Sequence, residues 1–367
     1  MHIFLDNIVF TIQRAGGVSA YWYELLKGMG GAGHAISLLN ARLRPGNVFE
    51  TRLDYSGYDC IRESWIPPQY LRYLPLRYTL PSAAVFHGGY MRVSPQRDVV
   101  NILTVHDFAH ERRLASRFPR SLANTTQKAY GIKRADGIIC ISESTRRELL
   151  HFYPQTDPAK IRVIHHGITA DYHPIVGGYQ RETLLPTAGH KRYILYVGAR
   201  RHYKNFGLAL EVMEQLPEDY ELVVVGGELW TRREHQELQE RTNGRYHLFP
   251  SLSNADLNRL YNQAFCLLYP SAYEGFGFPP GEAMKAGCPV ICGRTTAMPE
   301  VAGAAGLLVE EMTAMAILDK IGLLEQAAYR QAVVAAGLGQ ATLFSWEKCI
   351  QSTISFYQHC WNHKFST

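Results

Sequence analysis

The chain has 367 residues, 46% hydrophobic and 19% charged, which excludes a disordered, collagenous or low-complexity polymer. At roughly 150 residues per domain the length fits two domains, and neither needs a disulfide staple. A formal net charge of +5 permits an anionic partner without requiring nucleic acid.

Short apolar runs alternate with amphipathic stretches. Ile3-Phe4-Leu5 reads as a first strand, Val18 to Met29 as a helix and Ala35 to Leu39 as the next strand. Strands follow at Val99 to Val105, Gly137 to Ile141 and Ile161 to Ile164. Residues 171–190 hold Pro174, Gly177, Gly178, Pro186 and Gly189, a composition that suits a linker. The rhythm then restarts. Strand Tyr193 to Val197 leads to a helix over Asn205 to Gln215, and strand Glu221 to Val225 to a polar helix from Thr231. Strand Tyr246 to Phe249, helix Ala255 to Asn262 and strand Cys266 to Leu268 come next. A helix over Gly281 to Ala286 and a strand over Pro289 to Ile291 follow. Strands alternating with helices predict α/β architecture, two doubly wound parallel sheets facing one cleft at the strands' carboxyl ends. The expected domains are residues 1–170 and 171–346, with a last helix over about 347–367 returning to the first.

The seven cysteines form no CxxC and mostly stand in apolar company, so they read as reduced, buried thiols of a cytoplasmic protein. Met1-His2-Ile3-Phe4-Leu5 has no basic region before a long apolar one, and no signal peptide is expected. No run approaches the roughly 18 apolar residues of a membrane span.

Gly28-Met29-Gly30-Gly31-Ala32-Gly33 matches GxGxxG in letters only. A dinucleotide fingerprint runs strand, glycines, helix, and here a helix precedes the glycines. They read as a helix end and turn. Gly16-Gly17 does stand between strand and helix, where backbone N–H groups meet an anion or simply make a tight turn. Thr104-Val105-His106-Asp107 ends a strand, which aims His106 at a ligand or leaves it tied to a loop. Val197-Gly198-Ala199-Arg200-Arg201-His202-Tyr203-Lys204-Asn205 places cations between a strand and a helix, and these suit a diphosphate. No GxxxxGK[ST] is present, which argues against a P-loop NTPase. In Glu274-Gly275-Phe276-Gly277-Phe278-Pro279-Pro280-Gly281-Glu282, two carboxylates flank an aromatic and glycine loop. Glu274 suits sugar hydroxyls, and Glu282 suits the paired hydroxyls of a ribose.

These motifs, with Ile141-Ser142-Glu143-Ser144-Thr145, Val163 to Ile168 and Phe344-Ser345-Trp346-Glu347, come in one order along nearly the whole chain. In that order the sequence resembles the retaining glycosyltransferases of family 4, with the two-domain GT-B fold. Among these it is most similar to bacterial surface-polysaccharide members, including mannosyltransferases of O-antigen assembly. The resemblance implies that Arg200 and Lys204 bind the donor's diphosphate. It implies that Glu282 holds the ribose, and that Glu274 with Gly275, Phe276, Gly277 and Phe278 holds the transferred sugar. His106 would contact that sugar, and Gly16 and Gly17 would shape the phosphate and acceptor side. Arg201 adjoins Arg200 and competes with it for the phosphate role. The donor would be a nucleotide sugar, GDP-mannose foremost with a UDP-sugar as alternative, and no cofactor would be tightly bound. The absence of Asp-x-Asp agrees with a metal-independent route in which cations and helix dipoles stabilise the leaving group. Rival assignments are a UDP-sugar epimerase and a non-catalytic nucleotide-sugar or glycan-binding subunit. The Arg200 to Lys204 loop and the Glu274 and Glu282 pair argue against both.

Charge is uneven. Residues 61–134 hold twelve basic and four acidic residues, a net of +8 that leaves the remainder at −3. Within them Trp65-Ile66-Pro67-Pro68-Gln69-Tyr70-Leu71-Arg72-Tyr73-Leu74-Pro75-Leu76-Arg77-Tyr78 interleaves aromatics with arginine. That mixture suits either an anionic membrane face, where a lipid-linked oligosaccharide acceptor sits, or a loop packed on its own domain. The protein is therefore expected in the cytoplasm, with peripheral contact at the inner membrane face as one possibility. No nucleic-acid motif accompanies the charge.

Overall fold

A computed structural model describes residues 1–30, 33–40, 46–115, 120–175, 184–185, 191–200 and 202–366. Gly31, Ala32, Gly177, Gly178, Pro186, Gly189 and Arg201, all named above, lie outside the described residues. The chain forms two units, Met1–Gly167 with Trp346–Thr367, and Ile168–Ser345.

The first unit carries seven parallel strands: β1 His2–Asp6, β2 Ala35–Asn40, β3 Asp59–Arg62, β4 Val85–Gly88, β5 Val100–Val105, β6 Gly137–Cys140 and β7 Ile161–Val163. Their order is β3-β2-β1-β4-β5-β6-β7. The second carries β8 Arg192–Val197, β9 Tyr220–Val225, β10 Tyr246–Phe249, β11 Cys266–Tyr269, β12 Val290–Gly293 and β13 Leu307–Val309. Its order is β10-β9-β8-β11-β12-β13. Both are Rossmann-like parallel sheets. β5, β6, β8, β9, β11 and β12 are buried along nearly their whole length, as helices on both faces require, so they read as apolar runs without alternation. In each sheet the winding reverses beside the first strand, between β1 and β4 and between β8 and β11. Loops leaving the carboxyl ends of these pairs part there and open a crevice.

The helix Trp346–Phe365 completes the first unit. Cys349, Phe356, Tyr357 and Cys360 enter the cluster formed by Ile3, Leu5, Trp22, Leu25 and Val85. The Trp361 indole donates to the Ala83 carbonyl at 2.7 Å, and the Lys364 ammonium pairs with Asp136 at 2.8 Å. A Cβ on Gly137 would stand 2.6 Å from the Cys360 sulfur, which is why that strand begins with glycine. Six of the cysteines are buried free thiols, as expected, but Cys60 on β3 is exposed.

Several elements escape the sequence pattern. The helix Arg120–Arg134 turns Asn124 and Lys128 inward, so its apolar stripe is interrupted. β4 contains a buried histidine, His87, which masks a strand of four residues. The helix over 281–286 starts earlier, at Phe278, with Pro279 and Pro280 in its first turn, where proline costs nothing. Gly28 lies within the helix Gly17–Met29, and its missing side chain admits Ile350. Packing explains that glycine.

Candidate functional site

In the second unit the predicted residues converge at the winding reversal between β8 and β11. Gly198 to Lys204 leaves the end of β8 and Pro270 to Gly277 leaves the end of β11. The loops are tied together. Asn205 donates to the Pro270 carbonyl at 3.0 Å, and Ala272 N–H to the Tyr203 carbonyl at 2.8 Å. The Tyr196 hydroxyl holds the Ala199 carbonyl at 2.9 Å.

This brings Lys204 against Glu274, the ammonium donating to Oε1 of the carboxylate. Their side chains are 15% and 12% exposed, so the pair is shielded but reachable. The Tyr269 hydroxyl donates to the same oxygen at 2.6 Å and lies 3.4 Å from the ammonium. Glu274 N–H donates to the Thr296 hydroxyl at 2.9 Å. Gly277 caps the next helix at φ 95°, a left-handed conformation, and a Cβ there would stand 2.3 Å from Met298. Phe276 is buried edge-on to Phe278 and Phe344, each 5.5 Å away between ring centres. The ring anchors the loop. Gly275 lies beside it, half-buried.

Glu282 stands in the helix Phe278–Lys285 and accepts from the Tyr261 hydroxyl at 3.0 Å, with Tyr172 as a second phenol partner. Burial pushes its pKa up to about 7, although both phenols pull the other way. Arg200 is turned from Lys204 toward the loop after β9. Its guanidinium lies 3.6 Å over the Trp230 ring, donates to the carbonyls of Gly226 at 3.4 Å and Glu228 at 2.5 Å, and stands 3.7 Å from Glu234. It is 4% exposed.

In the first unit His106 follows the end of β5, edge-on to Tyr21 at 5.3 Å and beside His166 at 5.6 Å. Burial lowers its pKa to about 4, so the ring is neutral near pH 7. Behind it runs a polar chain. The Tyr21 hydroxyl meets Thr104 Oγ1 at 3.1 Å, Thr104 meets His87 Nε2 at 2.9 Å, and His87 Nδ1 meets the Tyr357 hydroxyl. Gly16 caps the helix Gly17–Met29, and both glycines are exposed. Helix Ile8–Ile12 intervenes between β1 and this cap.

The basic segment divides once its partners are known. Arg92 is buried against Asp6 and Glu63, and Lys128 against Glu111. Arg72 lies 4.1 Å over Tyr90 and bonds Asn124. Arg77 is exposed, Trp65 is 83% exposed beneath Arg62, and Tyr70 is 63% exposed. So part of the positive charge serves the interior and the rest faces outward. Among the described residues no helix is long and apolar enough to cross a membrane, and no three His, Cys, Asp or Glu gather to hold a metal.

Motif spacing singled out Lys204, Glu274 and Glu282. It missed Tyr269, Thr296, Tyr172 and Tyr261. A tyrosine ending the strand five residues before Glu274 was the one available clue.

Residues 15–172 match the model "Glycosyltransferase Family 4" and residues 185–336 match "Glycosyl transferases group 1". An O-antigen chain mannosyltransferase B of Escherichia coli is 37% identical over 173 residues, covering 45% of this chain and 45% of that one. The chain spans about half the length of the first curated relatives it matches. Sucrose-phosphate synthase from Thermosynechococcus elongatus superposes with a TM-score of 0.76 at 19% identity over 99% of both chains. WaaG, a glycosyltransferase involved in lipopolysaccharide biosynthesis, superposes with a TM-score of 0.67 at 16% identity over both whole chains. These likenesses show the GT-B fold.

Proposed function

Because the chain belongs to the family 4 glycosyltransferases, we propose that it transfers mannose from GDP-mannose to a growing lipid-linked polysaccharide of bacterial O-antigen, capsule or exopolysaccharide type. The observation that carries this is the meeting of Lys204 and Glu274 where the winding of the second sheet reverses. A cation and a carboxylate side by side match the two halves of a nucleotide sugar, diphosphate and hexose.

In this assignment Lys204 leaves Glu274 and binds the donor's diphosphate. Arg200 joins it by turning from Trp230. Glu282 takes the ribose hydroxyls from Tyr261 and Tyr172. Glu274 and the backbone of Gly275 to Phe278 hold the mannose, and neutral His106 contacts it as a hydrogen-bond partner. Gly16 and Gly17 present N–H groups to the phosphate and acceptor side. Transfer is retaining and needs no metal in this scheme. The bond from the anomeric carbon to the diphosphate oxygen breaks while the acceptor oxygen bonds that carbon on the same face. The acceptor proton passes to the departing phosphate oxygen. Cations fixed beside the leaving group lower the barrier electrostatically. The exposed Trp65, Tyr70 and Arg77 are assigned to the membrane that carries the acceptor, at the cytoplasmic face.

A thermal-shift panel of GDP, UDP, ADP and their sugars tests the donor. GDP and GDP-mannose should raise the melting temperature, with about 2.7 kcal/mol of stabilisation at a hundredfold excess over Kd. A shift with UDP alone overturns the choice of base, and no shift with any nucleotide overturns the donor site.

A further inference from the structure

We infer that Tyr269, backed by Thr296, is a positioning pair that keeps the Glu274 carboxylate in place when Lys204 turns to the donor. This rests on the donor site proposed above.

Lys204 and Glu274 are each other's charge partner inside a shielded site. A donor diphosphate competes for that ammonium. If the carboxylate had no other partner, its release would leave a poorly solvated anion, which is costly. Tyr269 supplies the other partner. Its hydroxyl already donates to the same Oε1 at 2.6 Å, and the residue is 5% exposed at the end of β11. Its neighbour in the sheet, Cys292, fixes the backbone from which the ring projects. Burial and the adjacent carboxylate hold the phenol well above its usual range, so it remains a donor throughout the physiological pH range. The ammonium lies 5.5 Å from the Tyr269 ring centre and 5.3 Å from that of Tyr203, within cation–π reach of both.

Thr296 supplies an independent observation. It is a β-branched residue at φ 44°, where such side chains are outliers. Strain of this kind persists where the surroundings impose it, and it gathers at functional sites. Here the hydroxyl accepts the Glu274 N–H at 2.9 Å, and the preceding Thr295 donates to the Ser271 carbonyl at 3.1 Å. The backbone of Glu274 is clamped from one side and its carboxylate from the other. Tyr269 and Thr296 therefore act through Glu274.

A double-mutant cycle on the full-length chain, read by titration calorimetry with GDP-mannose, tests this. Tyr269→Phe keeps the ring and removes the hydroxyl. It should weaken binding about tenfold in the natural background, the loss expected for one hydrogen bond to a charged group. In a Glu274→Ala background the same change should cost less than about twofold, because the acceptor oxygen is gone. Thr296→Ala should follow the same pattern, and Thr296→Ser, which keeps the hydroxyl, should restore binding. Equal losses in both backgrounds mean a merely structural tyrosine and overturn the inference while the donor site stands. No loss in either background does the same. Failure of the unmutated chain to bind GDP-mannose, GDP or UDP overturns the donor site itself, and this inference with it.

Discussion

Glu282 shows how one residue links stability and binding. Its folded pKa is about 7 against an ordinary value of 4.5. Between those pH values the unfolded chain gives up a proton that the folded chain keeps, so this group's contribution is full below pH 4.5 and is lost as pH rises through 7. Glu282→Gln removes the titration. Urea unfolding should show the variant gaining on the parent between pH 5 and pH 8, by on the order of 3 kcal/mol. Parallel pH profiles for the two proteins would refute this account of the carboxyl. At this scale the sequence made the charged residues legible and hid their supports. Lys204, Glu274 and Glu282 stand in a recognisable spacing of acids, glycines and cations. Tyr269 and Thr296 do not, because a phenol at a strand end and a threonine forced to φ 44° look like ordinary residues until the chain is folded. Arg200 was legible as a cation, but its partners Trp230, Glu228 and Glu234 come from the loop after β9 and the helix that follows it.

At the scale of elements, apolar runs identified the buried strands well. Ile194, Leu195 and Tyr196 in β8 or Leu222 to Val224 in β9 admit few other readings. Elements that bury polar side chains were among those lost, β4 with His87 and the helix Arg120–Arg134 with Asn124 and Lys128. Tertiary hydrogen bonds satisfy these groups, and no local pattern announces that. The segment over 65–78 is the informative case. Its arginines looked alike, yet Arg72 is packed among tyrosines while Arg77 faces out with Trp65 and Tyr70. If the outward face meets an anionic membrane, the chain should float with liposomes containing phosphatidylglycerol and not with purely zwitterionic ones. Arg77→Glu combined with Trp65→Ser should reduce the bound fraction severalfold at low salt. Equal flotation with both liposome types, or none lost in the variant, would remove the membrane assignment.

At the scale of the molecule, the two sheets share one strand order about their first strands, and their motif loops follow β1 and β5 in one and β8 and β11 in the other. The order of strands explains why residues 70 positions apart, Lys204 and Glu274, share a bond. It also explains why the modest net charge misleads. The +8 stretch belongs wholly to the first unit, and several of its cations are consumed by internal pairs. Sugar transfer is tested by the product it forms. GDP-mannose labelled at the anomeric carbon would be incubated with a polyprenyl-diphosphate oligomannoside, and the product read by NMR. The expected product is a new mannosidic bond that keeps the donor's anomeric configuration, with equimolar GDP released, and with the signal lost in Glu274→Ala and reduced in His106→Ala. Inverted configuration, or transfer undiminished in Glu274→Ala, would contradict it.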